Sequence, residues 1–162
     1  MRLWVITRTL FLLLLANGAP VIAKKIFGDR FSRPLDGGAR FLDGQPWFGN
    51  SKTVRGVLLS VLATAVGACL VGLKATTGAS VGGLAMSGDL FSSFLKRRMR
   101  LPASSRASGL DQLPESLFPL LACRRALSLS VLDTAVTVVT FFVGEILISR
   151  VLYKFRLRDR PY

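Results

Sequence analysis

The chain has 162 residues, of which 51% are hydrophobic, and it combines 22 lysines and arginines with 9 acidic residues and no histidine. A soluble nucleic-acid-binding domain with a formal charge of +13 would be polar, whereas the mean hydropathy here is +0.47. The composition therefore indicates a protein that lies in a lipid bilayer. Without histidine, the usual general base, the Ser-His and Cys-His nucleophile pairs and most zinc sites are excluded.

The two cysteines, Cys69 and Cys123, lie far apart in apolar surroundings. Their separation predicts neither a redox pair nor a metal-binding knuckle. Both are interpreted as small core residues.

The first apolar stretch, residues 3–23, is about as long as the roughly 20 residues that a membrane-spanning helix needs. A cleaved signal peptide is the alternative, because Arg2 precedes a leucine-rich run and small residues follow at 16–19. Pro20 and the two lysines after it favour a span that ends at a basic interface.

A polar segment over residues 24–55, rich in glycine and proline, predicts an ordered or ligand-ordered loop. Its end, the Asn-Ser-Lys-Thr-Val-Arg-Gly segment 50–56, directly precedes the next span. Hydroxyl and amide side chains there can cap a helix whose free N–H groups attract anions. Lys52 and Arg55 are expected to face one phosphate chain, and the alternative is a membrane-interface anchor with an N-cap.

Residues 57–73 carry no charge, and after Lys74 the run 75–95 contains only Asp89. Together they predict a tight helical hairpin with a short external connection at Lys74. Small residues four apart let helices in lipid approach closely. Three such pairs occur here: Ala63 with Gly67, Gly78 with Gly82, and Ala79 with Gly83.

Asp89 opens a polar stripe at the end of this hairpin, because on a helix Ser93, Lys96 and Arg97 share its face. A carboxylate within an apolar segment is costly and by default indicates function. The stripe suits a metal-bound polyphosphate at the membrane boundary. The alternative is a structural ion pair of Asp89 with Lys96 or Arg55.

A second polar loop, residues 96–114, carries Asp111, and Glu115 follows it. Glu115 either assists at the site or favours the N-terminus of the next helix. Asp111 and Asp89 are candidate metal ligands, and oxygen-only ligands favour Mg²⁺ over zinc or copper.

Residues 131–149 predict a strong span, and a basic tail over 150–162 follows. The positive-inside rule places both polar loops and this tail in the cytoplasm. An even number of crossings must then separate the second loop from the tail, so a further span is predicted over about 115–130. Its Arg124 and Arg125 would snorkel to the outer interface. A dip into the membrane is the alternative.

These spans predict a single all-α integral membrane domain of about five transmembrane helices, with the N-terminus outside and the C-terminus inside. Two charges within the spans, Arg8 and Asp133, both lie towards the outer side and are expected to pair. Glu145 lies towards the cytoplasmic end, where a pair with a nearby basic residue is favoured over a position bordering the reaction chamber.

The motifs taken in order resemble the CDP-archaeol synthase family, which is related to the CDP-diacylglycerol synthases. The resemblance covers about residues 17–115 and includes the segment 50–56, Gly88-Asp89, the segment 93–98 and Asp111-Gln112-Leu113-Pro114-Glu115. Val54 stands where the family usually has tryptophan. The histidine-containing element of typical CDP-diacylglycerol synthases is missing, which favours the archaeol-type branch.

The resemblance implies a Mg²⁺-dependent cytidylyltransferase in the cell membrane, with its active site facing the cytoplasm. Its substrates would be CTP and a lipid phosphate. Phosphatidic acid and an archaetidic-acid-like diether are the candidate lipids. Asp89 and Asp111 would then bind the metal and Lys52, Arg55, Lys96 and Arg97 would clamp phosphates. The residues expected to bind or orient substrate oxygens are Asn50, Ser51, Thr53, Gly56, Ser93 and Gln112.

A non-catalytic lipid-binding protein, scaffold or small permease is the alternative, but it gives no reason for two aspartates beside clustered cations. A nucleic-acid partner is not expected, because the aromatic residues lie mostly within spans and offer no stacking platform. A phosphotransferase that releases CMP would need a carboxylate cluster on one helix, and the sequence has none.

Overall fold

The computed structural model describes residues 2–101 and 109–154, apart from the side chains of 151–153. Part of the second loop and most of the basic tail therefore lie outside the described residues. The helices are α1 (Leu3–Phe27), α2 (Val54–Leu70), α3 (Ala75–Arg98), α4 (Gln112–Ala122) and α5 (Val131–Lys154). Within the described ranges, extended backbone pairs only at two isolated bridges in the first loop, so the all-α prediction is confirmed.

The length and composition of the helices separate them into two groups. Two stretches, Leu3–Phe27 and Val131–Arg150, are long and apolar enough to cross a membrane. Helix α2 is apolar but has 17 residues, and α3 is richer in glycine, serine and threonine. Helix α4 has 11 residues instead of covering the predicted 115–130. At about 1.5 Å per residue it is about 16 Å long, roughly half a hydrocarbon core.

The helices alternate in direction, so the bundle has two distinct ends. Arg2, just before α1, forms an ion pair of 3.4 Å with Asp133 in the first turn of α5, so α1 and α5 run in parallel. At the other end of α1, Phe27 lies under the guanidinium of Arg55 at the start of α2. We call the end at Arg2 and Asp133 the distal end, and the end where α2 begins and α3 finishes the site end.

A proline inside α1 is matched by a serine on α2. Pro20 has no N–H and cannot donate to the carbonyl of Ala16, one turn earlier. The hydroxyl of Ser60 donates to that carbonyl at 2.9 Å, and both residues are fully buried. An unpaired carbonyl is expensive in an apolar interior, so this contact also fixes the register of α1 against α2.

The predicted close helix approach occurs at some glycines and not at others. A Cβ on Gly78 would lie 2.1 Å from the carbonyl oxygen of Thr64, and one on Gly82 would lie 2.2 Å from the Thr64 hydroxyl. Gly67 instead packs against Leu15 of α1. Gly83 has open space around it, so the predicted pair of Ala79 with Gly83 is not a contact between helices.

Two sequence predictions for individual residues were wrong. Arg8 does not pair with Asp133; it donates to the carbonyl of Leu127, while Asp133 contacts Arg2. Cys123 is buried as expected, but Cys69 is exposed because its neighbour Ala68 takes the inward face of α2.

Candidate active site

The candidate site lies at the site end, where the first loop reaches α3. The ammonium group of Lys52 donates to both carboxylate oxygens of Asp89, at 2.5 and 2.6 Å. The backbone of Lys52 is held by the N–H of Leu35, which donates to its carbonyl at 2.8 Å. Thr53 caps α2 by accepting the N–H of Gly56 at 3.2 Å. The loop thus delivers Lys52 to the carboxylate at a fixed position.

The electrostatic environment keeps Lys52 protonated. Burial of its ammonium group lowers its pKa, but the neighbouring Asp89 carboxylate outweighs this effect. Glu115 and Asp111 add smaller contributions in the same direction. The pKa of Lys52 is therefore raised above its ordinary value of 10.5, and its positive charge persists throughout the neutral pH range.

A second lysine–aspartate contact joins α3 to the start of α4. The ammonium group of Lys96 lies 2.6 Å from Oδ1 of Asp111. Just before Asp111, the carbonyl of Leu110 accepts a hydrogen bond of 2.6 Å from the hydroxyl of Ser92 on α3. Gln112 accepts the N–H of Gly109 at 3.0 Å. These bonds hold Asp111 beside α3, where its partner Lys96 lies about two turns beyond Asp89.

Gly88 sets the distance between α3 and α4. A Cβ at this position would lie 2.3 Å from the carbonyl oxygen of Pro114 and 2.6 Å from the nitrogen of Glu115. Both are backbone atoms, so any larger residue would push α4 away. The glycine immediately before Asp89 is therefore what allows the backbone of α4 to lie against α3 at the site.

Glu115 enters the site from α4 and is 4% exposed. Its carboxyl group lies within electrostatic reach of Asp89, Asp111, Lys52 and Glu145 of α5. The sequence predicts that Glu115 either assists at the site or favours the N-terminus of the next helix. The structure places it inside the charged cluster. Its position could not be read from local spacing, because it depends on the packing of α4 against α3.

Arg98 holds the first loop against α3, a role that the sequence did not indicate. Its guanidinium lies 2.7 Å from Asp43 and donates to the carbonyl of Pro46 at 2.8 Å. It also stacks on Phe41 and Phe94, at 4.7 and 4.8 Å from the ring centroids. In the sequence Arg98 belonged to a basic run typical of a lipid-facing cluster.

Asp36 organises the same loop from within. Its carboxylate accepts the N–H groups of Phe48, Gly49 and Gly38, each at 3.0 Å. Burial raises the pKa of Asp36, but these backbone hydrogen bonds outweigh that effect and hold the pKa below its ordinary value of 3.8. An aspartate followed by two glycines is the sequence signal that could have indicated such a turn.

The structure divides the predicted site residues into two groups. Lys52, Asp89, Lys96 and Asp111 meet at the site end, whereas the guanidinium of Arg55 turns towards α1 and bonds the carbonyls of Gly28 and Arg30. Asp89 does form an ion pair, but with Lys52 instead of Lys96 or Arg55. Of the remaining residues, Asn50 and Ser51 are exposed, Thr53 is half-buried, and Gly56, Ser93, Arg97 and Gln112 are buried.

The carboxylates at the site end are too few to hold a metal ion by themselves. Among the described residues, no three acidic, cysteine or histidine side chains are grouped closely enough to form a complete protein metal site. Mg²⁺ commonly uses one or two carboxylates and completes its shell with phosphate oxygens and water. Asp89 and Asp111 supply two carboxylates of this kind.

Comparison with known proteins gives consistent relatives, although no family model matches the chain. A CDP-archaeol synthase of Sulfurisphaera tokodaii is 34% identical over 155 residues, covering 92% of this chain and 90% of the relative. One from Pyrobaculum calidifontis is 36% identical over 167 residues, covering 94% and 96%. A solved structure described as an intramembrane enzyme for archaeal membrane lipids biosynthesis shares the fold, with a TM-score of 0.71, 23% identity and coverage of 85% and 90%.

Proposed function

The chain belongs to the CDP-archaeol synthase family, and on that premise we propose that it transfers the cytidylyl group of CTP to a membrane lipid phosphate. The observation that carries the proposal is the pair of contacts Lys52–Asp89 and Lys96–Asp111, which gather two cations and two carboxylates at one end of an apolar bundle. Phosphoryl transfer needs charge neutralisation and positioning more than covalent chemistry by the protein.

The proposed reaction needs no histidine. An oxygen of the lipid phosphate forms a bond to the α-phosphorus of CTP, and the bond from that phosphorus to the bridging oxygen breaks to release pyrophosphate. A phosphate monoester has a second pKa of about 6, so the nucleophile is already largely ionised at neutral pH. The protein therefore has to bring two polyanions together and does not have to remove a proton.

Each cluster residue has a distinct proposed role. Lys52 and Lys96 would exchange their aspartate partners for phosphate oxygens when CTP binds, with Arg97 as a further clamp. Asp89 and Asp111 would hold Mg²⁺, which supplies neutralisation of the phosphate charge when bound. Asn50 and Ser51, exposed beside Lys52, would orient substrate oxygens.

Most of the other predicted substrate-binding residues contribute to the frame of the site. Thr53 caps α2 through the N–H of Gly56, and Gln112 accepts the N–H of Gly109. Ser93 remains a proposed phosphate ligand on the same helix as Asp89. Arg55 joins the first loop to the end of α1, because its guanidinium is bonded to backbone carbonyls there.

The protein lies in a membrane, and we propose that the site end faces the cytoplasm. The first loop and the last turn of α3 both carry clustered lysines and arginines, as the positive-inside rule requires of cytoplasmic segments. We further propose that the five helices form one domain in the cell membrane and that the lipid phosphate enters from the cytoplasmic leaflet. Phosphatidic acid and its diether analogue are the two candidate lipids.

The test is incubation of the purified, detergent-solubilised protein with radiolabelled CTP, Mg²⁺ and each candidate lipid phosphate. Wild type is expected to form a metal-dependent CDP-lipid, and the lipid that is converted faster identifies the substrate branch. Asp89→Asn should lose at least about 100-fold in rate, since removal of one electrostatic contact to a transition state typically costs that much.

Asp29→Asn is the matched control, because Asp29 is an exposed aspartate outside the cluster and the chemical change is the same. It should retain wild-type activity. Absence of product with either lipid, from protein that unfolds cooperatively, would contradict the proposal and support the non-catalytic lipid-binding alternative.

A further inference from the structure

A basic cavity lies at the distal end, away from the proposed active site. It has a volume of about 840 Å³ and is lined by Arg2, Arg124 and Arg125 together with Ser128 and Leu129. Among the described residues that line it there are three arginines and no carboxylate. The cavity therefore carries a net positive charge, although Asp133 beside it partly balances Arg2.

An apolar groove continues from this cavity along the outer face of α4 and α5. The groove has a volume of about 390 Å³, and Leu117, Val131, Val138 and Val139 are among its lining residues. Leu121 and Arg124 line both the groove and the cavity, so the two spaces meet at these residues.

The junction between the two spaces is shaped by a fixed arginine. The Nε atom of Arg124 donates to the carbonyl of Leu129 at 3.1 Å, which holds its side chain across the turn between α4 and α5. On the groove side, Leu121 and Val139 are each 62% exposed. A ligand that fits both spaces must have an anionic end and a long apolar end.

We propose that this combined site binds an anionic phospholipid, with its phosphate among the arginines and one chain in the groove. Guanidinium groups match phosphate oxygens in charge and geometry, and a chain placed in the groove covers apolar surface of both helices. A soluble anion would leave the groove empty, whereas a neutral lipid would leave the net positive charge of the cavity without an anion.

The site is distinct from the one proposed for catalysis. Helix α1 has 25 residues, so its ends are about 37 Å apart. Arg2 lies at one end, and Phe27, in contact with Arg55 near Lys52, lies at the other. A lipid phosphate held at Arg2 and Arg124 is thus too far from Asp89 to react, and the bound lipid ties the end of short α4 to the start of α5.

The experiment measures lipid binding and thermal unfolding of the full chain in detergent, and it does not depend on catalysis. Phosphatidylglycerol should remain bound in native mass spectra and raise the unfolding temperature more than phosphatidylcholine with the same chains. Glycerol phosphate, which has the headgroup charge without the chains, should give no comparable shift. Arg124→Gln/Arg125→Gln should weaken phosphatidylglycerol binding about 30-fold, because the loss of each arginine at a lipid surface costs about five-fold in affinity.

Three further variants separate the proposal from general effects. Lys74→Gln removes an exposed cation at the same end of the bundle but outside the cavity, and it should bind like wild type. Ala135→Phe fills the groove without changing charge and should weaken phosphatidylglycerol binding. Arg125→Gln alone should weaken binding even if the double variant does not fold. Equal shifts with both lipids, or undiminished binding by Arg125→Gln and Ala135→Phe, would overturn the proposal.

Discussion

At the scale of single residues, the contact between Lys52 and Asp89 raises the question of whether Asp89 serves the reaction or only neutralises a lysine. Each side chain is a little over one-fifth exposed, so the pair is shielded from solvent and loss of one partner leaves a poorly solvated charge. In a double-mutant cycle on unfolding, Lys52→Gln and Asp89→Asn should show a coupling of about 1–3 kcal/mol.

Activity of the same three variants answers the question. If Asp89 holds substrate or metal, folded Asp89→Asn protein should be inactive although Lys52 is still present, and the double variant should also be inactive although it is more stable than the sum of the single changes predicts. Recovery of activity in the double variant would assign Asp89 a purely structural role.

Asp36 gives a prediction for pH dependence. Its pKa is lower in the folded protein than its ordinary value of 3.8, so its stabilising contribution is complete above that value and is lost as the pH falls through the folded pKa. Hydrogen exchange protection of Phe48 and Gly49 should therefore be constant from pH 5 to 7 and fall below about pH 4. Asp36→Ala, which removes the acceptor oxygens, should abolish this protection at every pH, whereas Asp29→Ala should leave it unchanged.

At the scale of the helices, Ser60 supplies the hydrogen bond that Pro20 cannot donate within α1. Ser60→Ala should destabilise the protein by about 1 kcal/mol, because the carbonyl of Ala16 loses its donor. In a Pro20→Ala background the N–H of residue 20 can donate to that carbonyl, so the same serine substitution should cost much less. Thermal unfolding of the four proteins measures the difference, and equal costs in both backgrounds would contradict this explanation.

The contact at Gly88 predicts a change in activity caused by backbone displacement. Gly88→Ala places a methyl group against the backbone of Pro114 and should move α4, and with it Asp111 and Glu115, away from Asp89. We expect at least about ten-fold lower kcat, because small displacements of positioned groups are costly in catalysis. Gly83→Ala, on the same helix with open space around it, should retain wild-type kcat. An active Gly88→Ala protein would show that the spacing of α3 and α4 is adjustable.

At the scale of the whole molecule, the direction of the helices predicts which surfaces face each side of the membrane. In a Cys69→Ala/Cys123→Ala background, an impermeant maleimide added to intact cells should label Ala126→Cys and not Ala39→Cys. Both positions are exposed, the first after α4 and the second in the first loop. Inside-out vesicles should give the opposite result, and labelling of both positions from one side would rule out a crossing by α4.

The sequence predicts those features of the structure whose cause lies within one segment of the chain. The first and last spans and the cap at Thr53 follow from runs and spacings within one segment, and the structure agrees with them. The partner of Asp89 is 37 residues earlier in the chain and depends on how the first loop folds. The direction of Arg55 and the burial of Glu115 likewise depend on helices packing together, which no local pattern encodes.

The aromatic packing around Arg98 makes the first loop observable by fluorescence. The chain has two tryptophans, and Trp47 lies edge-on to Phe41 at 5.1 Å and beside Phe94 at 5.7 Å, all close to the proposed nucleotide site. Trp4 is near the distal end and is 65% exposed. A Trp4→Phe protein would therefore carry a single emitter whose wavelength and quenching report whether the loop that carries Lys52 is packed on α3, without any attached dye.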